Sequence, residues 1–145
     1  MQITNMAIEH LNAVHEIEIS SFAIPWSKNE LRKDITENKH AVYKVAILEG
    51  QVAGYAGLWH IVNEGQITNI AVSLPYRQMG VASSLLGALI DVACEREMIG
   101  LTLEVRESNI AAKKLYKKYG FLPEGNRKNY YADTGEDAVI MWKYL

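Results

Sequence analysis

The sequence predicts a mixed α/β (α+β) fold, in which helices cover both faces of a mostly antiparallel central sheet of about seven strands. Two observations predict it. In the first half, short segments rich in Val and Ile alternate with tight turns, which is typical of an antiparallel meander. In the second half, strand segments alternate with helical ones, and such crossovers make part of a sheet parallel. The length of 145 residues suits a single domain that spans residues 1–145.

The first half contains two predicted helices between its strands. Met6–Ser20 carries a mostly apolar stripe at helical spacing, and Pro25 ends any continuation. Ser27 stands three residues before Glu30, and this capping box starts a second helix that runs to about Asn38. The strands and turns predicted here are Met1–Asn5, Ala41–Leu48, a turn at Glu49-Gly50-Gln51, Val52–Ile61, a turn at Asn63-Glu64-Gly65, and Gln66–Val72.

A long helix dominates the second half. Gly80–Arg96 has a broad apolar face, and Gly100 ends it. Asn109 is suited to cap another helix, whose apolar stripe is closed by Gly120. The predicted strands are Leu101–Val105, Phe121–Tyr131 and Ala138–Tyr144, with a turn at Asp133-Thr134-Gly135 between the last two.

Composition and charge exclude several classes of protein. The net charge is −2, so no global basic field attracts nucleic acid or a membrane surface. The single cysteine, Cys94, excludes an internal disulfide and a thiolate zinc cluster, and the four histidines show no metal-ligand spacing. Met1–Val14 lacks a signal-peptide pattern, and no apolar stretch reaches the ~18 residues of a membrane span. We therefore expect a soluble, cytoplasmic protein without a metal.

The segment Ile67–Leu86 carries the clearest chemical signal. A strand runs into the loop Arg77–Gly80, which opens directly into the long helix. Gly80 permits a strained turn and the close approach of a ligand, while the small Ala82 keeps the first helical turn uncrowded. The free N–H groups and the dipole of the helix then suit a pyrophosphate, with Arg77 as an added charge. The alternative is a glycine that only starts a helix beside a solvated arginine.

Two sequence blocks resemble the GNAT superfamily of acyl-CoA N-acyltransferases. Arg77-Gln78-Met79-Gly80-Val81-Ala82 is similar to the family's Arg/Gln-x-x-Gly-x-Gly/Ala signature, and it follows the strand Ile70-Ala71-Val72. The second block runs through Leu103–Asn109, Ala111-Ala112, Leu115-Tyr116 and Tyr119-Gly120-Phe121. The order of strands and helices extends the resemblance over nearly the whole chain. It implies the GNAT fold and acetyl-CoA as the co-substrate.

A closer resemblance is to the RimI family, whose members acetylate the N-terminal alanine of a small-subunit ribosomal protein. It rests on Phe22–Ser27 with its Pro-Trp-Ser, on Leu103–Asn109, and on Arg127–Tyr131 followed by Glu136-Asp137-Ala138. The resemblance implies an acetyl-CoA-dependent N-acetyltransferase whose partner is a protein N-terminus. No direct binding to nucleic acid or to a membrane is expected.

The implied reaction is attack of a free amine on a thioester, which needs one base and one acid. Glu104 shares the non-aliphatic side of a central strand with Arg106, and the resemblance makes it the candidate base, acting directly or through a water. A structural pair with Arg106, or a partly wet sheet face, is the alternative for Glu104. The resemblance makes Tyr116 the candidate acid, and a core aromatic beside Tyr119 is the alternative.

The resemblance also implies the ligand contacts. Main-chain groups of the strand before the loop are expected to bind the pantetheine arm as an added strand would, and Asn109 both caps its helix and contacts this arm. The expected donor-binding residues are Ile70, Ala71, Val72, Arg77, Gln78, Met79, Gly80, Val81, Ala82 and Asn109. Trp26, Tyr130 and Tyr131 are candidates to line the acceptor groove, with packing of loop against sheet as the alternative.

Two other functions stay open on the sequence alone. The acceptor is open to other protein N-termini, lysines or small amines. A non-catalytic acyl-CoA-binding sensor is the second alternative, and the presence of both Glu104 and Tyr116 argues against it. Since no nucleophile suited to a covalent acetyl-enzyme is evident, we expect direct transfer within a ternary complex.

Overall fold

Seven strands form one sheet in the computed structural model, which describes residues 1–145. The strands are β1 (Gln2–Asn5), β2 (Ala41–Leu48), β3 (Gln51–Ile61), β4 (Glu64–Val72), β5 (Gly100–Arg106), β6 (Leu122–Arg127) and β7 (Ala138–Tyr144). The α-helices are α1 (Leu11–Ser21), α2 (Lys28–Thr36), α3 (Val81–Glu95) and α4 (Ile110–Lys118). None of these helices is both long and apolar enough to cross a membrane.

The sheet is mixed, in the order β1-β2-β3-β4-β5-β7-β6. Every neighbouring pair is antiparallel except β4 and β5, which run parallel because the α3 crossover connects them. Parallel pairing covers only Glu64–Gln66 against Gly100–Thr102, after which the two strands separate. The predicted meander and the predicted parallel component are both confirmed. The short parallel ladder leaves a gap in the sheet where a ligand can enter.

Several element boundaries differ from the predicted ones for local reasons. The first helix begins at Leu11 rather than Met6, because a 3-10 turn precedes it, in which the Ala7 N–H donates to His10 Nδ1 at 2.9 Å. The second turn lies at Val62 and Asn63, so β4 starts at Glu64, before the predicted Gln66. Strand β6 ends at Arg127, not Tyr131. The differing bounds shorten or shift elements without changing their order.

Two apolar cores lie on opposite faces of the sheet. Successive residues of a strand face opposite sides, and in β2 Val45 packs in one core while Ala46 packs in the other. The first core lies under α1 and α2, and Leu11, Val14 and Leu31 contribute to it. The second core lies under α3 and takes in the apolar side of α4. Helices therefore cover both faces of the sheet, as predicted. The sheet is interrupted only where β4 and β5 separate.

Candidate active site

The first of two adjoining cavities lies where β4 ends and α3 begins, and it has a volume of about 470 Å³. Its walls include most of the predicted donor-binding residues: Ile70, Ala71, Val72, Arg77, Gln78, Gly80, Val81, Ala82 and Asn109. Met79, the tenth predicted residue, does not line it, and its side chain is 55% exposed. The structure therefore brings together a strand end, a loop and two helix starts that the sequence separates by up to 39 positions, from Ile70 to Asn109.

The loop before α3 has the backbone geometry of a ligand cradle. Gln78 and Gly80 have φ angles of 63° and 79°, in the left-handed region. A Cβ on Gly80 would meet no protein atom within 4 Å, so the space above this glycine is open. Arg77 Nε donates to the Val72 carbonyl at 3.1 Å, which fixes the base of its side chain. The first N–H groups of α3 have no intrahelical partner, and they suit an anion.

Close packing sets the start of α3 beside the end of β4. A Cβ on Gly54 of β3 would lie 2.8 Å from the Ala71 carbonyl oxygen and 3.0 Å from Val81 Cγ1. Only glycine therefore lets the first turn of α3 approach β3 this closely. Because β5 has already separated, the edge of β4 at Ile70–Val72 faces no strand on that side. Main-chain groups on this edge are open to an extended ligand.

The second cavity has a volume of about 490 Å³ and lies between the separated strands. It shares Ser21, Phe22, Ile70 and Asn109 with the first cavity, so the two form one continuous cleft. Its walls come from five parts of the chain: the end of α1 with the residues after it, the middle of β4, most of β5, the first half of α4 with its cap, and the segment between β6 and β7. Glu104, Tyr116 and Tyr131 all line it.

Glu104 extends from β5 into this second cavity and has an unpredicted partner. Arg127 Nε lies 3.1 Å from Glu104 Oε1, and the Glu104 side chain is 17% exposed. Arg106 pairs instead with Asp133 at 3.0 Å and with Glu136 at 3.5 Å. The pairing with Arg106 that was the structural alternative for Glu104 is therefore wrong. A partly exposed carboxylate that pairs with one arginine can still accept a hydrogen bond from a further donor.

Tyr116 lies on α4, across the second cavity from the strands. Its ring packs on Phe121 with centroids 5.9 Å apart, so part of the side chain belongs to the core. Burial, with a smaller contribution from Tyr131, raises the pKa of the Tyr116 hydroxyl to about 12. The hydroxyl is therefore protonated at neutral pH and can donate. Tyr116 thus packs partly in the core and also lines the cavity, and its role as the acid stays a prediction.

Asn109 begins α4 as predicted. Its side-chain oxygen accepts from the Ala112 N–H at 3.1 Å, which leaves the amide nitrogen for another partner. Tyr119 lies further along the same helix, where its hydroxyl hydrogen-bonds Ser83 of α3. Tyr119 lines neither cavity, and it packs with the core as expected.

The segment between β6 and β7 folds over β5 through its contacts with Arg106. The Arg106 guanidinium lies 4.0 Å from the centroid of the Tyr131 ring, and burial raises the pKa of Tyr131 to about 12. Interaction of the Tyr130 hydroxyl with the Glu104 carboxylate, mainly hydrogen bonding, raises the pKa of Tyr130. Both predicted tyrosines therefore lie close to Glu104 or its cavity.

The Trp26 side chain does not line the cavity that Glu104, Tyr116 and Tyr131 share. Its ring packs against Trp59, with centroids 6.3 Å apart, and lines a separate cleft beside α2. Its main chain is nevertheless tied to the neighbourhood of the site, because the Trp26 N–H donates to Glu18 Oε2 at 2.9 Å. The packing of loop against sheet, which was the alternative for Trp26, describes its ring.

Sequence reasoning missed the buried polar network around Glu18. This residue of α1 is 1% exposed, and its carboxylate accepts hydrogen bonds from Tyr55 and Asn69. A signal was present, since Glu18 interrupts an otherwise apolar helical stripe and a buried charge needs partners. No group of three or more His, Cys, Asp or Glu side chains is arranged to hold a metal ion.

The sequence matches the Acetyltransferase (GNAT) family over residues 11–121, which is most of the chain. The chain belongs to this family, whose members use acetyl-CoA as co-substrate, and it is an acetyltransferase. The predicted fold and enzyme class are thereby confirmed.

Individual proteins similar to this chain indicate a subfamily within the GNAT family. The ribosomal protein bS18-alanine N-acetyltransferase of Escherichia coli strain K12 is 36% identical over 143 residues, which cover 96% of this chain and 94% of that protein. A Bacillus subtilis strain 168 relative bears the same name in provisional form and is 44% identical over 140 residues, covering 97% and 93%. The crystal structure of the Escherichia coli ribosomal-protein-S18-alanine N-acetyltransferase has a TM-score of 0.91 at 33% identity and covers 99% of this chain and 93% of that one. These relatives confirm the resemblance to the RimI family.

Proposed function

We propose that this protein transfers the acetyl group of acetyl-CoA to the α-amino group of the N-terminal alanine of ribosomal protein bS18. The observation that carries the proposal is the continuous cleft, in which an anion-binding loop leads into a cavity lined by Glu104 and Tyr116. The two named relatives support the choice of acceptor. In this proposal residues 1–145 form one domain. The protein acts in the cytoplasm, where its ribosomal substrate is found.

The first cavity is suited to the donor. Its open loop at Gly80 and the free N–H groups of α3 fit the pyrophosphate, and the unpaired edge of β4 at Ile70–Val72 fits the pantetheine arm. Because the chain has a net charge of −2, this local device, with Arg77 beside it, must supply the attraction for a polyanion. Acetyl-CoA supplies a thioester carbonyl and a thiolate leaving group when bound.

Glu104 acts as the base in this proposal. An α-amino group has a pKa of about 7.7–8.0, so much of it is protonated at neutral pH, and only its neutral form can attack the thioester carbonyl. As the new C–N bond forms the nitrogen becomes positively charged, and the Glu104 carboxylate takes one of its two protons, directly or through a water. Arg127, 3.1 Å from Glu104 Oε1, holds the orientation of the carboxylate.

Tyr116 acts as the acid. When the C–S bond breaks, the leaving sulfur carries the electron pair, and a proton from the Tyr116 hydroxyl neutralises it. The raised pKa of about 12 keeps this hydroxyl protonated throughout the neutral range. No covalent enzyme intermediate is needed, because the only cysteine, Cys94, is exposed and lines neither cavity.

Mass spectrometry of acetylated peptides tests the proposed function. The protein is incubated with acetyl-CoA and a panel of peptides that begin with alanine, serine or methionine, or that carry an internal lysine. We expect one acetyl group on the α-amine of a peptide with the N-terminal sequence of bS18. Acetylation of another amine would keep the enzyme and reject this acceptor. Tight CoA binding without acetylation of any peptide would favour the acyl-CoA sensor.

A further inference from the structure

Three buried side-chain polar atoms lack a hydrogen-bond partner: Ser21 Oγ, Thr68 Oγ1 and Asn69 Oδ1. All three residues line the second cavity. Buried polar groups are nearly always hydrogen-bonded, so each exception needs an explanation. Thr68 Oγ1 lies against the Tyr43 side chain beside Gly57. The atoms of the other two residues, Ser21 and Asn69, are accounted for by a polar ligand in the cavity.

The orientation of the Asn69 amide follows from its neighbour. Asn69 Nδ2 donates to Glu18 Oε1 at 3.2 Å. A carboxylate only accepts, so the nitrogen must face Glu18 and the oxygen must point away from it. Asn69 is 7% exposed, which withdraws this oxygen from bulk water. An oriented, buried acceptor without a partner thus belongs to a residue that lines the cavity that Glu104 enters.

Glu18 is itself held rigidly. The Tyr55 hydroxyl donates to Glu18 Oε1, and the Trp26 N–H donates to Oε2 at 2.9 Å. Burial, followed by the Glu18 carboxylate, raises the pKa of Tyr55 far above its ordinary value, so its hydroxyl always donates. Glu18 therefore links α1, β3, β4 and the segment after α1, and its contact with a polar side chain of the cavity wall is the one to Asn69.

The position of Asn69 along β4 indicates which part of a ligand it meets. Ile70 lines both cavities, whereas Asn69 lines only the second. Ile70 thus lies where the two cavities meet, and Asn69 is one residue away from this meeting point, on the side of the second cavity. Ser21, at the end of α1, also lines this meeting point. A group that contacts both residues lies next to the donor's reactive end.

We propose that Asn69 Oδ1 and the Ser21 hydroxyl form a polar subsite for the primary α-amine of the acceptor peptide. Asn69 Oδ1 accepts one N–H of this amine, while the other proton is the one that Glu104 removes; this inference rests on the proposed function. Asn69 and Ser21 are specificity-determining residues, and Glu18 is a positioning residue. The subsite takes a peptide with a free N-terminus.

Serine variants give the cleanest test, because removal of an unpartnered hydroxyl leaves the free protein's hydrogen bonds intact. We expect Ser21→Ala to lower kcat/KM for the alanine peptide about 2-fold to 10-fold without lowering the thermal midpoint. Ser20→Ala is the matched control, since the neighbouring Ser20 hydroxyl donates to the Ile17 carbonyl and lines neither cavity of the cleft. An unchanged kcat/KM in Ser21→Ala would reject its part in the subsite.

The asparagine variant has the larger effect. Asn69→Leu has a similar volume but removes both the Oδ1 acceptor and the Nδ2 donor to Glu18, and we expect kcat/KM for the peptide to fall about 10-fold to 100-fold. The dissociation constant of acetyl-CoA should stay within about twofold, which a general loss of structure would not allow. Equal losses of peptide turnover and donor affinity would overturn the subsite, as would full activity.

The wild-type protein separates this inference from the proposed function. If it acetylates a different amine, the proposed acceptor is wrong, and the same variants are compared on that amine. If it acetylates the alanine peptide and both Ser21→Ala and Asn69→Leu match the wild type, only the subsite fails. Should Asn69→Leu not fold, Ser21→Ala alone decides.

Discussion

The two cavities of the cleft are built in different ways. The donor side is made largely from main chain and small side chains over a short stretch, Ile70–Ala82. The acceptor side has partly apolar walls that carry polar side chains such as Asn69, Glu104 and Tyr131, which come from distant parts of the chain. A local backbone device suits a donor that is always the same, whereas separate side chains allow one acceptor to be distinguished from another.

This difference has a consequence for substitutions. A change on the acceptor side should alter turnover or peptide affinity and leave donor affinity intact. A change in the loop at Gly80 should do the reverse. Each of the following substitutions tests whether the two sides are independent.

Glu104→Gln should have the largest effect. The amide keeps the shape and a hydrogen bond to Arg127 but cannot take the amine proton, so we expect kcat to fall about 10²-fold to 10⁴-fold near neutral pH. Steady-state kinetics and calorimetric titration of acetyl-CoA check it, with donor affinity unchanged. Glu95→Gln, an exposed glutamate at the end of α3, is the control. Near-normal turnover in Glu104→Gln would remove it as the base.

Tyr116→Phe should have the next largest effect. The ring keeps its packing on Phe121 and only the proton donor is lost, so we expect kcat to fall about 10²-fold. Tyr119→Phe removes a hydroxyl from the same helix outside the cleft, and it should keep kcat while losing about 1 kcal/mol of unfolding free energy. Equal turnover in the two variants, measured side by side, would contradict the role of Tyr116.

Gly80→Leu tests the donor side. Gly80 and Gly50 have φ angles of +79° and +76°, and a Cβ at either would meet nothing within 4 Å. Both Leu variants should therefore lose a similar unfolding free energy, about 1–2 kcal/mol of left-handed strain. Only Gly80→Leu should also weaken acetyl-CoA binding, about 10-fold through lost contacts to an anion. Calorimetric titration decides it, and equal donor affinity in both variants would mean that the phosphate loop is misassigned.

The pH dependence should show the smallest change. The acceptor amine becomes neutral above about pH 8, and Tyr116, with its pKa raised to about 12, stays protonated. We therefore expect kcat to stay within about twofold from pH 8.5 to 10. The same raised pKa favours the folded state below pH 10, and this stability is lost as the pH rises from about 10 towards 12. A fall of kcat with its midpoint near pH 10 would indicate an acid other than Tyr116.

Much of the fold could be predicted because its signals are local. The capping box at Ser27 and Glu30 forms as predicted, with the Glu30 N–H donating to Ser27 Oγ at 3.1 Å. The turn at Gly50 and the cap at Asn109 depend likewise on neighbours within a few residues. Strand β6 is shorter than predicted because the chain turns at Asn129, whose φ is 54° and whose N–H donates to Asp137 Oδ1 at 2.9 Å, a contact eight residues along the chain.

The candidate site divides in the same way. The sequence by itself determined the order of the elements and the loop at Arg77–Gly80, because a strand, a loop and a helix start that follow one another are fixed by local backbone preferences. Tertiary structure alone decided the partner of Glu104. Strand β7 pairs with β5 on one side and with β6 on the other. This register places Gly125 directly across β7 from Glu104, and Arg127, two residues further along β6, reaches Glu104 diagonally. It likewise decided that Trp26 packs on Trp59 and that Glu18 orients Asn69. These contacts join residues far apart in the chain, and packing of the whole sheet and its helices selects them.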